Sequence, residues 1–438
     1  MDLLTTEIAK ATGGVLSGPD VKVSGATIDS RAVVPGQLFV PVVAVRDGHD
    51  FVAGAVAAGA SAYLTSRGPV GGVDASAVEV GDTVGALGAL GRHARTGLPD
   101  RVVGITGSVG KTSVKDLLAP ALAARWRTSA SLGSFNNELG VPLTLLNAAA
   151  DTEALVVEMG ARGVGHIAQL CALAGPTVGV VTRVAAVHTE TFGTLEEVAW
   201  AKGELVEALP DSGHAVLNAG DPWVAAMASR TSATTVTFGD GGDVRAESAT
   251  LDDGLRPSFR LASPWGGAPV HLGVRGEHMI DNALAAAAAA LVCAVPVTDV
   301  AAALGTAVLS RWRMDLVRLP SGALVVNDAY NANPRSMAAA LRALTRLPAR
   351  RRVAVLGLMA ELGPSSDDEH RAIGAVARGQ GVEVIGVGVP AYGGTTVGDV
   401  DEVPAALGRL GDGDAVLLKG SRVAGLERLL ELLGSPAT

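Results

Sequence analysis

A chain of 438 residues with 48% hydrophobic and 18% charged residues, 56 glycines and a net charge of −9 is globular, which excludes wholesale disorder and a general nucleic-acid binder. No basic leader into an apolar run and no uninterrupted apolar segment of the ~20 residues a membrane span needs occurs, so a cytoplasmic chain without membrane insertion is expected. Cys171 and Cys293 sit in apolar surroundings without metal or redox spacing and read as core filler.

At roughly 100–200 residues per domain, this length predicts two to four domains. Three α/β domains fit the texture: 1–99, 100–309 and 310–438. The first carries short strand-like runs (VKVSGATI, GQLFVPVVA), the helical AGAVAAGA and the strand SAYLTS, and ends in the linker RTGLPD. From Arg101 the strands become continuous apolar runs, RVVGIT, ALVVEM, TVGVVTRV and HAVLNA, as parallel strands buried on both faces are. The stretch from Thr234 to Val274 alternates and reads as a small β insertion before a helix that starts near Met279. From Ser310, ALVVNDAY, RVAVLGLM, VEVIGVG and DAVLLKG alternate with helices, predicting a Rossmann-like doubly wound C-terminal domain. The linker RTGLPD and residues Leu309 to Arg313 are the candidate hinges.

GITGSVGKTSVKD follows the first central strand and opens a helix, one residue shorter than the usual P-loop glycine interval. Gly107 and Gly110 let backbone N–H groups approach phosphate oxygens at a helix N-terminus. Lys111 reaches the outer phosphates and Thr112 offers a hydroxyl to Mg²⁺. Ligands of open parallel sheets bind beyond the carboxyl ends of the strands, which brings in Glu158 after LVVE and His188 after TVGVVTRV. Taken singly, the carboxylate reads as a helix cap and the histidine as a satisfied loop residue; taken with the P-loop threonine and a buried lysine they point to a metal-and-phosphate site.

LEEVAWAKGELVEAL, Leu195 to Leu209, is an amphipathic helix with Lys202 on its apolar stripe. Snorkelling to water is one explanation. The other is a site beside a metal, where a buried ammonium tends to lose its proton and the neutral amine can take up CO₂ as an anionic carbamate.

Together with DSRAVVPGQLFVP, RDGHDF, NNELGVPLTLL, VVEMGA, HTETFGTLEEVAWAKGEL, NDAYNANPRSM, MAELG and LLKGSR, these blocks resemble the Mur ligases of peptidoglycan synthesis almost end to end. The likeness is strongest to members that join D-alanyl-D-alanine to UDP-MurNAc-tripeptide. It implies an N-terminal UDP-substrate-binding domain, a central P-loop-type ATPase domain with a mostly parallel sheet, and a C-terminal ligase domain. The implied cofactors are ATP and Mg²⁺, the enzyme is expected as a monomer, and the reaction runs through an acyl phosphate.

The resemblance makes Thr112, Glu158, His188 and carbamylated Lys202 the metal ligands and Lys111, Lys202, Glu158 and His188 the catalytic set. Nucleotide contacts fall on Gly107, Ser108, Gly110, Lys111, Thr112, Ser113, Asn137, His278, Asn282, Arg313, Asp328 and Asn331, with Asn333 nearby. Substrate contacts fall on Asp29, Ser30, Arg31, Asp47, Gly48, His49, Asn136, Tyr330, Lys419 and Arg422. The chain departs from the family pattern at Arg183, Met279 and Leu358 and lacks a glycine turn before RDGHDF, which bears on adenine packing and substrate choice. Two other readings are a Mur-type ligase for another acid and amine, and an ATP-binding protein without turnover. Lys111, Glu158, His188 and Lys202 oppose the second, since binding alone needs no carbamate.

Overall fold

The computed structural model describes residues 1–185 and 193–434. Its first unit holds a two-stranded pair, β1 (Asp2–Leu4) with β3 (Lys22–Ser24), and a five-stranded sheet in the order β2-β7-β6-β5-β4. These are β2 (Val15–Ser17), β4 (Ala26–Thr27), β5 (Leu38–Phe39), β6 (Ala62–Thr65) and β7 (Ser76–Glu79). All pairs of this sheet are parallel except β2 with β7.

The second unit is a six-stranded sheet, β13-β12-β11-β8-β10-β9, parallel throughout. Its strands are β8 (Val102–Thr106), β9 (Thr128–Ala130), β10 (Ala154–Glu158), β11 (Val178–Val181), β12 (His214–Asn218) and β13 (Thr234–Phe238). From β8 the chain goes to the edge strand β9 and back to β10 on one side, then crosses to β11, β12 and β13 on the other, so the end of β8 is the switch point where such sheets bind ligands. The expected β insertion is smaller than the sequence pattern drew it. Thr234–Phe238 extends the main sheet, and only β14 (Arg245–Leu251), β15 (Pro257–Ser263) and β16 (Gly266–His271) form the antiparallel insert. The cause is that β13 alternates because it is an edge strand, with one face less covered.

The helix Met279–Val292 follows, starting at the predicted residue. Ala283 to Ala290 are almost fully buried apart from nothing larger than Leu284, and these small side chains let the helix pack against Lys111–Ala123, the helix that opens at the glycine-rich loop. The third unit has the order β17-β18-β22-β19-β20-β21. It comprises β17 (Asp315–Arg318), β18 (Leu324–Asn327), β19 (Arg351–Leu356), β20 (Glu383–Val387), β21 (Thr395–Val397) and β22 (Asp414–Lys419). Only β17 with β18 is antiparallel, and the late strand β22 inserts between β18 and β19.

RTGLPD is not a free hinge. Arg95 ends the helix Thr83–Arg95, and its guanidinium donates to the Ala174 carbonyl at 2.6 Å and to Leu98 O at 3.1 Å. Asn147 bonds both backbone groups of Ala26, at 3.0 and 2.8 Å, and Ile8, Leu90 and Ala94 share one apolar core with Val141, Ile167 and Leu205. The first two units are therefore welded by burial, which exceeds in energy what a short linker could control. At the second candidate hinge, Ser310 N donates to Asp116 Oδ2 at 2.8 Å, while Trp312 and Met314 adopt φ of 63° and 57°. Ser310 is thus anchored to the Lys111–Ala123 helix, and the chain changes direction just after it. Cys171 and Cys293 are buried free thiols, each pushed up to about 12 by burial.

Candidate active site

A cleft of about 720 Å³ lies between the central and C-terminal sheets. Its floor is the turn after β8. Gly107 has φ 147°, and a Cβ there would stand 1.9 Å from Thr182 Oγ1, so only glycine admits the β11 end so close. Gly110, φ 87°, would likewise strike Asn282 Oδ1 at 2.5 Å. Ser108 is fixed from both sides: its N–H donates to Arg183 O at 2.7 Å and its hydroxyl bonds Ala185 O and N, both at 3.0 Å. Lys111 Nζ reaches back to Gly107 O at 2.8 Å, closing the loop on itself. Burial holds its pKa below the ordinary lysine value, Glu158 opposing and Arg313 adding to that effect. Thr112 and Ser113, in the first turn of the same helix, are buried.

Glu158 ends β10 and is 1% exposed. Its Oε1 accepts from Asn136 Nδ2 at 2.7 Å, and its buried Oε2 has no hydrogen-bond partner among the described residues. Lys202 is 2% exposed on the helix Leu195–Glu207, which opens with a Thr194–Glu197 capping box. Its ammonium does not snorkel to water. Burial, with the charge of Lys111 as the second cause, drops its pKa to about 7. The same helix is held on both flanks. Glu204 accepts from Gly165 N at 2.5 Å and Ala168 N at 2.9 Å, and Arg230 stacks on Trp200 at 4.4 Å while reaching Glu207 at 2.9 Å. Among the described residues no three His, Cys, Asp or Glu side chains cluster. His188 lies outside the described residues.

Along the other wall run His278, Asn282, Arg313, Asp328, Tyr330, Asn331, Asn333 and Lys419, all lining the cleft. Burial keeps His278 below the usual histidine range, which favours the neutral ring. Arg313 lies over the Tyr330 ring at 4.2 Å, and Tyr330 meets Ser134 through their hydroxyls, joining C-terminal to central domain across the cleft. The departures from the family pattern are built in: Arg183 pairs with Asp281 at 2.8 Å, Met279 Sδ receives Asn282 Nδ2 at 3.3 Å, and Leu358 O accepts Ser421 N at 2.8 Å.

Other expected site residues also make structural bonds. Asn137 lines the cleft while its Oδ1 accepts from Gly140 N at 3.0 Å in the first turn of the helix Gly140–Leu146, and Asn333 caps Pro334–Arg346. Lys419 is 2% exposed, clamped by Asp328 and by Asn331 O at 3.0 Å, so it lines the cleft as a tethered cation. Arg422 stacks on Trp312 at 4.0 Å and is outside the cleft lining. Asp29, Ser30, Arg31, Asp47, Gly48 and His49 also stand apart from it. Arg31 folds back on Asp29 at 2.8 Å, and Asp47 is engaged by His49 Nδ1 at 2.6 Å and by Arg67.

Cleft residues not singled out from sequence include Ser134, Arg162, His166, Asn218, Arg342 and Glu361. Arg335, Arg342 and Arg346 recur at spacings of seven and four, a one-face stripe legible in RSMAAALRALTR. Glu361, a non-glycine residue with φ 65°, carried no such signal.

Residues 105–290 match the Mur ligase middle domain, and residues 312–422 match the Mur ligase glutamate ligase domain. The chain is 41% identical to the UDP-N-acetylmuramoyl-tripeptide–D-alanyl-D-alanine ligase of Mycobacterium tuberculosis, over 99% of this chain and 98% of that one. It is 35% identical to the Escherichia coli ligase of the same name, again over 99% and 98%. The crystal structure of MurF from Acinetobacter baumannii superposes with a TM-score of 0.87 at 29% identity, covering 99% of each chain. MurF from Thermotoga maritima in complex with ADP gives 0.79 at 29% identity, over 94% and 97%. Glycine-rich floor, three-unit plan and full-length likeness agree, and the chain belongs to the Mur ligases, among the UDP-N-acetylmuramoyl-tripeptide–D-alanyl-D-alanine ligases.

Proposed function

We propose that this protein joins D-alanyl-D-alanine to UDP-MurNAc-tripeptide at the expense of ATP, as its relatives' names state, and that it does so as a cytoplasmic monomer. The observation that carries the reading is the cleft itself: the Gly107–Lys111 loop, the buried Glu158 and the buried Lys202 share one cavity with the C-terminal wall.

A carboxylate is a poor electrophile, so it must be activated. The tripeptide's terminal carboxylate oxygen forms a bond to the γ-phosphorus of ATP, and the bond from that phosphorus to the β-phosphate oxygen breaks, giving acyl phosphate and ADP. The amine of D-alanyl-D-alanine then attacks the acyl carbon, phosphate leaves, and the amine's extra proton passes to solvent or phosphate. Lys111 and the loop N–H groups stabilise charge on the transferring phosphoryl group. Arg313 supports the same group from the C-terminal side, and closure of the two walls keeps water from the acyl phosphate.

Thr112, Glu158 and Lys202 would hold Mg²⁺, with His188 as the family resemblance assigns it. The residues fit: Glu158 Oε2 is buried and without a described partner, and Lys202 at about 7 holds a substantial neutral fraction near neutral pH, the form that adds CO₂ and releases a proton to become an anionic ligand. When bound there, Mg²⁺ would supply positive charge to offset that of the phosphate oxygens.

The test is phosphate release from ATP with Mg²⁺, UDP-MurNAc-tripeptide and D-Ala-D-Ala, omitting each in turn. Release that requires both organic substrates is expected, with hydroxylamine trapping an acyl species only when ATP and tripeptide are present. Trapping without ATP would refute the acyl phosphate. Elution at the monomer mass on gel filtration checks the oligomeric state.

A further inference from the structure

Two loops leave the metal end of the cleft side by side. Asn136 donates to Glu158 at 2.7 Å, and its own carbonyl accepts Gly160 N at 2.6 Å. Gly160 is required there, since a Cβ would meet Asn136 Oδ1 at 2.8 Å. Two residues further along each loop, Glu138 and Arg162 face each other with 3.8 Å between Oε1 and Nη1, both lining the cleft. Their side chains remain 58% and 67% exposed. An ion pair this open contributes little to stability, so folding does not account for it.

The backbone beneath Arg162 is nevertheless rigid. Arg162 N donates to His166 Nδ1 at 3.2 Å, and the turn that follows is fastened through Gly165 N to the buried Glu204 at 2.5 Å. A fixed base carrying an exposed guanidinium beside an exposed carboxylate is arranged to receive a group that bears both charges.

We propose that Arg162 and Glu138 bind the distal amino-acid head of the tripeptide's third residue, so that this enzyme selects a diaminopimelate-bearing acceptor over a lysine-bearing one. The assignment rests on the ligase reading above. Diaminopimelate ends in a carbon carrying both an ammonium and a carboxylate, roughly 6 Å from the reacting carboxyl carbon. Arg162 stands four residues past Glu158, at most ~14 Å of chain, and both line the same cleft. The guanidinium takes the carboxylate in a forked pair and Glu138 takes the ammonium. Lysine supplies the ammonium alone, leaving Arg162 to face a like charge. The dipeptide D-Ala-D-Ala is also zwitterionic, but a peptide unit separates its charges, and its amine must reach the acyl carbon.

The experiment compares kcat/KM for the diaminopimelate and lysine forms of UDP-MurNAc-tripeptide in the wild type, Arg162→Gln and Glu138→Gln. The wild type is expected to favour diaminopimelate by on the order of tenfold or more. Arg162→Gln brings the ratio toward one by raising KM for the diaminopimelate form, whereas Glu138→Gln raises KM for both and keeps the ratio. A wild-type ratio near one, or an Arg162→Gln effect equal on both peptides or confined to the KM of D-Ala-D-Ala, would overturn the proposal while leaving the ligase intact. Turnover with neither peptide would instead bring down the ligase reading, and this assignment with it.

Discussion

Asn136 holds Glu158 through a 2.7 Å amide-to-carboxylate bond that leaves the other carboxylate oxygen buried and without a hydrogen-bond partner among the described residues. A carboxylate fixed at one oxygen is oriented at the other, and outer partners of this kind typically carry ~10–100-fold of metal affinity. Asn136→Ala is therefore expected to raise the Mg²⁺ concentration for half-maximal phosphate release by about that factor, with ATP affinity measured at saturating Mg²⁺ little changed. An unaltered Mg²⁺ titration would mean that Glu158 is oriented by something else.

Lys202→Ala removes the proposed ligand but leaves a cavity the size of a small acid. Loss of phosphate release by roughly 100-fold or more is expected, as for removal of a group that stabilises transferring charge. Partial recovery in acetate or formate should follow, since either restores an anion at the same place. Full activity in the variant would reduce Lys202 to packing.

The depressed pKa of Lys202 has a thermodynamic sign. Its folded value of about 7 lies below the ordinary 10.5 of the unfolded chain, so between these values the unfolded state binds more protons and stability rises with pH. Below about 7 both states are charged and the full penalty of burying the ammonium is present. In CO₂-free buffer Lys202→Met should melt above the wild type at pH 6, and the gap should narrow steadily by pH 9. A gap independent of pH would show that Lys202 is charged in the folded protein throughout.

Gly203 explains how Arg230 reaches the lysine-bearing helix. A Cβ at 203 would stand 1.9 Å from Arg230 Nη1, and that guanidinium bonds Trp200 O at 3.0 Å. Gly203→Ala gains helix propensity of about 1 kcal/mol yet forces the arginine out. Net destabilisation of ~1–3 kcal/mol in urea unfolding is expected, the range for overpacking. Arg230→Ala in the same chain should return part of it, and an additive double mutant would contradict the clash.

What the sequence disclosed follows the range of the interactions involved. The phosphate loop is legible because Gly107 and Gly110 answer local backbone demands, and Lys202 because a charge interrupts a periodic stripe. Glu158 is legible as the polar end of an apolar strand. Long-range partners leave no such trace: Lys419 finds Asp328 ninety-one residues upstream, and Arg95 finds Ala174 across seventy-nine. Asn137 lines the cleft as the sequence reading expects, and its Oδ1 also accepts Gly140 N in the first turn of a helix, a local bond the sequence does not announce. The N-terminal sheet was seen only in part, since strands of two to four residues are too short for a pattern to repeat.

The small antiparallel insert brings Leu251 and Leu255 into the lining of the cleft that also holds His278 and Phe238. Phosphoryl chemistry dictates every group near Glu158, but it asks of these two leucines only that they be apolar and of suitable size. The size and shape of these two side chains are therefore free of the demands of phosphoryl transfer. A small molecule anchored on the phosphate loop and extended toward Leu251 would draw its potency from the first contact and its discrimination among such enzymes from the second.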